Sequence, residues 1–336
     1  MQGPGLRDLG LALTRYLGAA AHGTLPAPEP SWRAFFGNVA EAARIHFFAI
    51  PVGAALAGAA AARSINESWR VLLAAAAAGL GWGGGQLLND LLDTSADRLN
   101  APHRPAVRGA LPAGPTLLVA IGLGVVVSSA VLLVHPSGYL LALAAALLLL
   151  SYGYARRAPL FGNLAHAALV ATAACIGAAA ARPDLTLPEC LSGTWSQAAL
   201  CGGWAALYLE ANYEKDLRGD RAAGYVSLAH LLGVRWSAAV RACCALLLAW
   251  AALPRLTGSP ERIALAVSTL LVLLSTVHPL RSGSGPAALR GYRFAVHGAN
   301  LGLLSLGMSA SPRLAVAFML VSVALTERAF RKSENP

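Results

Sequence analysis

Asn89-Asp90-Leu91-Leu92-Asp93-Thr94-Ser95-Ala96-Asp97-Arg98 closes a stretch that carries no charge from Val71 to Asn89. The pattern Asn-x-x-x-Asp-x-x-x-Asp-Arg returns 123 residues later, as Asn212, Asp216, Asp220 and Arg221, again at the end of an apolar run. On a helix, residues four apart share one face and stand about 6 Å apart along the axis, so each copy reads as a polar ladder. Carboxylates spaced this way at the tips of two bilayer-length apolar segments need a compensating charge.

The rest of the chain sets the class. Of 336 residues, 56% are hydrophobic and 12% charged, where soluble chains run near a quarter charged. The apolar residues fall in blocks of roughly 18–22, the length that crosses a bilayer as helix. Ten such blocks occur, at about 43–63, 70–91, 115–134, 137–154, 162–181, 197–214, 236–254, 261–279, 290–309 and 312–329. Only the Ser309–Ser311 break and Pro312 separate the last two, so one of that pair is a candidate for partial insertion. The fold class expected is an all-α polytopic membrane bundle of nine or ten spanning helices. Residues 1–40 form an N-terminal cytoplasmic segment. Their charges (Arg7, Asp8, Arg15, Glu29, Arg33) argue against a secretory signal. Residues 41–336 form one membrane domain with two pseudo-repeated halves, about 41–182 and 197–330.

Loop charge orients the bundle. With the N terminus inside, the cytoplasmic loops hold Arg98, Arg104, Arg108, Arg156, Arg157, Lys215, Arg218, Arg221, Arg235, Arg281, Arg290 and Arg293. The opposite loops hold Arg63, Arg70, Arg182, Arg255, Arg262 and Arg313. Twelve against six favours this orientation. Both ladders then face the cytoplasm, although they played no part in the count. The C-terminal Arg328, Arg331 and Lys332 are better placed inside, which fits ten spans. The net charge of +10 sits in such loops, with no basic run interleaved with aromatics, so nucleic acid is excluded as a partner.

Of sixteen Asp and Glu residues, seven fall in two windows: Asp90, Asp93, Asp97 and Glu210, Glu214, Asp216, Asp220. An ionised carboxylate at membrane depth costs about 2.5–3.5 kcal/mol, less near the interface. Hard cations such as Mg²⁺ take oxygen ligands and commonly bridge carboxylates to substrate phosphates. Two facing ladders suit that arrangement. The metal ligands expected are Asn89, Asp90, Asp93, Asp97, Asp216 and Asp220, and the competing reading pairs the first ladder with Arg98, Arg104 and Arg108. Arginine grips phosphate oxygens through paired donors. Arg104 suits that role, and Arg156 lies four residues after Tyr152, on one helix face. Arg157, Arg218 and Arg235 read as topology determinants, and Arg44 as a helix-start residue reaching the headgroups, the alternative being contact with an anionic acceptor or the diphosphate. His103 reads as solvated, and His166, His278 and His297 show no zinc-ligand spacing. Cys175, Cys243 and Cys244 read as small core residues; Cys190 and Cys201 flank an outer loop, and no cysteine is assigned a catalytic role. The glycines at 79, 81, 83, 84 and 85 are awkward for a helix but allow close approach of a helix or a prenyl chain.

Asn89–Asp97, followed by Arg98-Leu99-Asn100-Ala101-Pro102-His103-Arg104-Pro105, resembles the first signature of the UbiA superfamily of intramembrane prenyltransferases. Asp216–Asp220 with Arg221 and Gly224 is similar to the second, and Tyr152–Asn163 to the segment after that family's fourth helix. There a Tyr and a basic residue four positions later help hold the diphosphate; Tyr152 and Arg156 fill those places, Arg standing where Lys is usual. The resemblance spans about residues 40–235.

It implies a helical bundle with a central cavity open to lipid and capped by two acidic-motif loops. It also implies Mg²⁺-dependent transfer of a prenyl group from a polyprenyl diphosphate to a lipophilic or aromatic acceptor. The catalytic residues expected are Asp93, Asp97, Asp216 and Asp220, and the diphosphate contacts Asn89, Asn212, Tyr152, Arg156 and Arg104. A UbiA-type terpene cyclase acting on the diphosphate alone is the alternative. An ion-coupled transporter is a remoter one, since its carboxylates belong at mid-depth. The bias to Arg over Lys and the abundance of Ala suggest a GC-rich genome and a bacterial plasma membrane.

Overall fold

The computed structural model describes residues 5–21, 31–62, 69–282 and 286–334, which are helical with no strand among them. Of the residues weighed above, Glu29 and Arg63 lie outside the described residues, as do parts of the 1–40 segment and the side chains of His278, Arg281 and Lys332.

In chain order the helices are α1 (Leu6–Ala21), α2 (Trp32–Ala42), α3 (Ala49–Ala61), α4 (Trp69–Leu92) and α5 (Thr94–Asn100). Next come α6 (Ala113–Val134), α7 (Gly138–Ala155), α8 (Phe161–Ala181), α9 (Leu187–Ser192) and α10 (Trp195–Ala222). The chain ends with α11 (Leu228–Leu232), α12 (Val234–Ala252), α13 (Ser259–Ser282), α14 (Pro286–Gly307) and α15 (Pro312–Glu334). Every apolar block found in the sequence overlaps a helix of 13 residues or more. Among the described residues six helices are long and apolar enough to cross a membrane, and α2 with α3, bent by 48°, makes a seventh candidate. Length and hydropathy alone thus support fewer spans than the nine or ten expected. The helices α10, α14 and α15 are not among the candidates.

The core is built from α3, α8, α10 and α14, which pack on one another. Trp204, Ile50, Leu303 and Ala54 lie at its centre with essentially no exposure. Small residues set the spacing. A Cβ at Gly58 of α3 would collide with the Ala174 carbonyl of α8, and one at Gly177 of α8 with the Ala55 carbonyl of α3. The two backbones therefore touch through reciprocal glycines, the contact that membrane helices favour where no hydrophobic driving force acts between them. The helices α6 and α7 bury few residues and turn Val125, Leu133, Leu143 and Leu147 outward, as a lipid-facing wall would.

The glycine-rich stretch of α4 stays helical throughout. Its neighbours explain why. A Cβ at Gly83 would stand 3.1 Å from the Phe48 ring and one at Gly85 3.0 Å from Leu149 Cδ1. The missing side chains leave room for the α3 entry on one face and α7 on the other.

Candidate active site

The first ladder is not one continuous helix. Helix α4 ends at Leu92, and Asp93 (φ −93°, ψ 8°) occupies the position just before α5. Backbone bonds from Asp93 to Asn89 (2.8 Å) and from Asp97 to Asp93 (2.9 Å) keep the four-residue spacing across the break. The Asp93 side chain makes no capping bond, which frees its carboxylate for other partners. The second ladder lies wholly within α10, near its C-terminal end.

The two ladders converge. Arg156, at the end of α7 and 7% exposed, donates to Asp93 Oδ2 and, at 3.2 Å, to Asp220 Oδ1. Tyr225 donates its hydroxyl to Asp93 Oδ1 at 2.5 Å, and its ring lies 3.8 Å below the Arg156 guanidinium. The rings of Tyr152 and Tyr213 flank the same guanidinium at 5.6 and 5.8 Å, their hydroxyls 3.2 Å apart. Asn100 docks α5 on α10: it accepts the Gly219 N–H at 2.9 Å and donates to Asp220 at 3.3 Å. On the flanks, Arg104 donates to Asp97 at 2.5 Å, Lys215 to both Asp216 oxygens at 2.7 Å, and Asn212 to Asp216 at 3.0 Å. Burial raises the Asp97 carboxyl above its ordinary value, against the pull of the Arg104 charge.

A cavity of about 1140 Å³ opens beneath these groups. Of the expected site residues, Asn89, Asp93, Asp97, Arg104, Tyr152, Arg156, Asn212, Asp216 and Asp220 all line it. Asp90 does not. It is buried behind the wall, bonded to Arg44 and 3.7 Å from Arg104. Arg98 and Arg221, which follow each ladder, are exposed and take no part. Away from the ladders the lining is apolar, with the rings of Trp82 and Tyr208 edge-on to His166 at 5.4 and 5.6 Å.

One sequence reading is corrected, that of Arg44, and two acids counted in the second window find their place: Glu210 and Glu214 belong to a separate buried network. Glu210 accepts from Asn163, the Ala229 N–H and Ser237, while Glu214 accepts from Ser237 and, at 2.6 Å, from Arg241. Arg241 is therefore the compensating charge that the sequence did not reveal. Arg44, for which the sequence favours the headgroup reading over a site role, adopts φ 51°, lines the cavity and bonds Asp90 behind its wall. A left-handed conformation in a non-glycine residue marks a position held by its surroundings. Asn100, Tyr213 and Tyr225 were missed. The only linear hint for Tyr225 is its place directly after Gly224.

Among the described residues no three His, Cys, Asp or Glu side chains gather in a group that could hold a metal; guanidinium and ammonium groups stand between the ladder carboxylates. The donor set still fits a hard cation. It consists of carboxylate and carboxamide oxygens from two facing elements, and Asp220 Oδ2 is buried without any hydrogen-bond partner.

A family model, the UbiA prenyltransferase family, matches residues 50–298. A digeranylgeranylglyceryl phosphate synthase from Methanoregula boonei is 31% identical over 288 residues, covering 83% of this chain and 98% of the relative. Synthases of the same name from Thermococcus sibiricus and Thermococcus gammatolerans are 31% and 30% identical; the chain spans 54% and 63% of their lengths. Among solved structures, an apo UbiA homologue from Aeropyrum pernix K1 superposes with a TM-score of 0.61 at 23% identity, covering 83% of this chain and 98% of that one. A UbiA homologue from Archaeoglobus fulgidus, bound to DMAPP and Mg²⁺, gives 0.57 at 15% identity, covering 85% and 99%. These likenesses establish a shared helical fold.

Proposed function

The chain belongs to the UbiA prenyltransferase family, and from that premise we propose that it transfers a prenyl group from an allylic polyprenyl diphosphate to a lipophilic acceptor inside the membrane. The observation that carries this reading is Arg156, bonded at once to Asp93 of one ladder and Asp220 of the other at the mouth of an apolar cavity.

The bound divalent cation, Mg²⁺ in our reading, would be held by Asn89, Asp93, Asp97, Asn212, Asp216 and Asp220 and would offset the charge of the diphosphate. Arg156 and Arg104 donate to the diphosphate oxygens, a stabilisation that grows as negative charge develops on them. Tyr152, Tyr213 and Tyr225 hold the Arg156 guanidinium in place. Asp90 orients Arg44 and Arg104 from behind. The allylic carbon–oxygen bond breaks with its electron pair on the diphosphate, and the acceptor's oxygen or carbon bonds to the freed carbon. The acceptor proton passes to the diphosphate. The apolar lining keeps water from competing.

The cavity exceeds the size usual for a single small ligand, which suits a donor and an acceptor together. The relatives' name favours a prenylated glyceryl phosphate as the first acceptor to test, ahead of an aromatic or quinone precursor. Arg44, which lines the cavity, is the group we assign to its anion. The orientation we propose puts the N terminus and both ladders in the cytoplasm, with α10, α14 and α15 completing nine or ten spans. The rings of Trp82, His166 and Tyr208 favour a second reading, a cyclase that uses the diphosphate alone, because aromatic faces stabilise cations.

The test is incubation of purified protein in nanodiscs with Mg²⁺, C10–C20 allylic diphosphates and each acceptor class. Diphosphate release coupled to prenylated acceptor is expected. Acceptor-free release of a cyclic product selects the cyclase, and no diphosphate release from any donor sinks both readings.

A further inference from the structure

Helix α1 lies outside the stretch matched by the family model, yet it forms part of the cavity wall. Leu9, Ala12, Leu13, Tyr16 and Ala19 are the residues it turns inward, at the spacing of one helical face. Leu9 is 2% exposed and packs with Leu88 and Leu91 at the end of α4, one turn before Asp93. Tyr16 and Ala12 sit on the start of α6, where a Cβ at Gly114 would stand 2.6 Å from Tyr16 Cβ and 3.2 Å from the Ala12 carbonyl. Gly5, Leu6, Asp8, Leu9 and Gly10, at the start of α1, line the same cavity as Asn89, Asp93 and Asp97. On its outer face Leu11 and Leu17 are exposed beside Arg7 and Arg15, a composition suited to the headgroup layer.

We propose that α1 is a water seal for the diphosphate end of the cavity, and that Leu9 is the residue that seats it. The inference rests on the prenyl-transfer reading for its chemistry and on the packing for its place. Without the seal, water competes with the acceptor. Its oxygen bonds to the allylic carbon as the bond to diphosphate breaks, one water proton goes to the diphosphate, and the free prenol is released.

The test uses the full chain in nanodiscs with Leu9→Ala, Leu9→Glu and Gly114→Leu, the last unseating α1 from the opposite side. Two quantities are read: Mg²⁺-dependent prenol release from geranylgeranyl diphosphate without acceptor, and the rate at which a sulfonated maleimide labels Leu92→Cys, followed by peptide mass. Leu9→Glu and Gly114→Leu are expected to raise prenol release at least threefold and labelling at least fivefold, with Leu9→Ala moving both the same way by less. Unchanged labelling overturns the seal, and so does faster labelling with unchanged prenol release. Should Leu9→Glu fail to insert, Leu9→Ala and Gly114→Leu decide by the same two readouts. If the parent consumes no donor at all, the transfer reading fails by itself, and the labelling rate alone decides whether α1 covers the mouth.

Discussion

Arg156 Nη2 stands 3.2 Å from Asp220 Oδ1 while the other terminal nitrogen of the same guanidinium holds Asp93, so one side chain ties together acids 127 positions apart in the chain. A lysine would offer one ammonium nitrogen in place of two nitrogens fixed in a planar fork. Arg156→Lys should keep the local charge but lose the bridge, lowering kcat/KM about tenfold, and Arg156→Ala should lower it about 10²- to 10³-fold. Initial rates of diphosphate release measure both. Equal activity of the lysine variant and the parent would remove the bridge from the mechanism.

Asn100 and Gly219 make the second tie between the ladders. A side chain on Gly219 would run into the Asn100 carboxamide and remove its bond to the Gly219 N–H. Alanine is favoured over glycine within a helix by about 1 kcal/mol, so Gly219→Ala should leave α10 no less stable as a helix. Activity and stability should then part company: kcat/KM falls about tenfold while thermal unfolding moves little. Asn100→Ala combined with Gly219→Ala should be less damaging than the product of the single losses, because one contact is removed twice.

Asp216 carries no arginine but holds Lys215 and Asn212. Asp216→Asn removes one anionic oxygen donor of a hard-cation site while preserving shape. The Mg²⁺ concentration for half-maximal activity should rise about tenfold, equivalent to about 1.4 kcal/mol. Unfolding without Mg²⁺ should be nearly unaffected. An unchanged Mg²⁺ titration would take Asp216 out of the metal site.

Much of this was legible in one dimension. The ten apolar blocks locate the longer helices because hydropathy over a bilayer length needs no knowledge of partners. The repeated four-residue spacing identified the cavity-lining acids because both ladders keep helical backbone bonds, even across the α4–α5 break. What stayed hidden depends on tertiary pairing. Glu214 resembled the site acids until Arg241, on α12, was found against it. Arg44 looked like any helix-start arginine because only its left-handed backbone turns it inward. Asn100 is a common residue in an ordinary loop until Gly219 leaves it space.

The Glu214–Arg241 pair gives a test of stability that should spare the chemistry. Both side chains are 1% exposed, and Arg241 also donates to Ser275. Arg241→Leu would leave the Glu214 charge buried and unpaired, a change that costs about 3–5 kcal/mol. Thermal unfolding in nanodiscs should fall sharply, and Glu214→Gln in the same chain should recover part of the loss. The molecules that remain folded should keep the parent's KM for the donor. A large rise in that KM would instead join this network to the diphosphate site.

The α3–α8 contact gives the last prediction, because here the space is bounded by backbone that cannot rotate away. Gly58 faces the Ala174 carbonyl and Gly177 the Ala55 carbonyl, so a side chain at either site must push two helices apart. Overpacking of a core typically costs about 1–3 kcal/mol where side chains can yield. Gly58→Leu and Gly177→Leu should exceed that range, and little monodisperse protein should be recovered from detergent. Gly122 of α6 has no atom within 4 Å of its would-be Cβ, so Gly122→Leu should be recovered like the parent. Fluorescence-detected size exclusion compares all three in one run. Normal recovery of Gly58→Leu would mean that α3 and α8 do not cross through these glycines, and the core that positions Trp204 and the cavity floor would have to be redrawn.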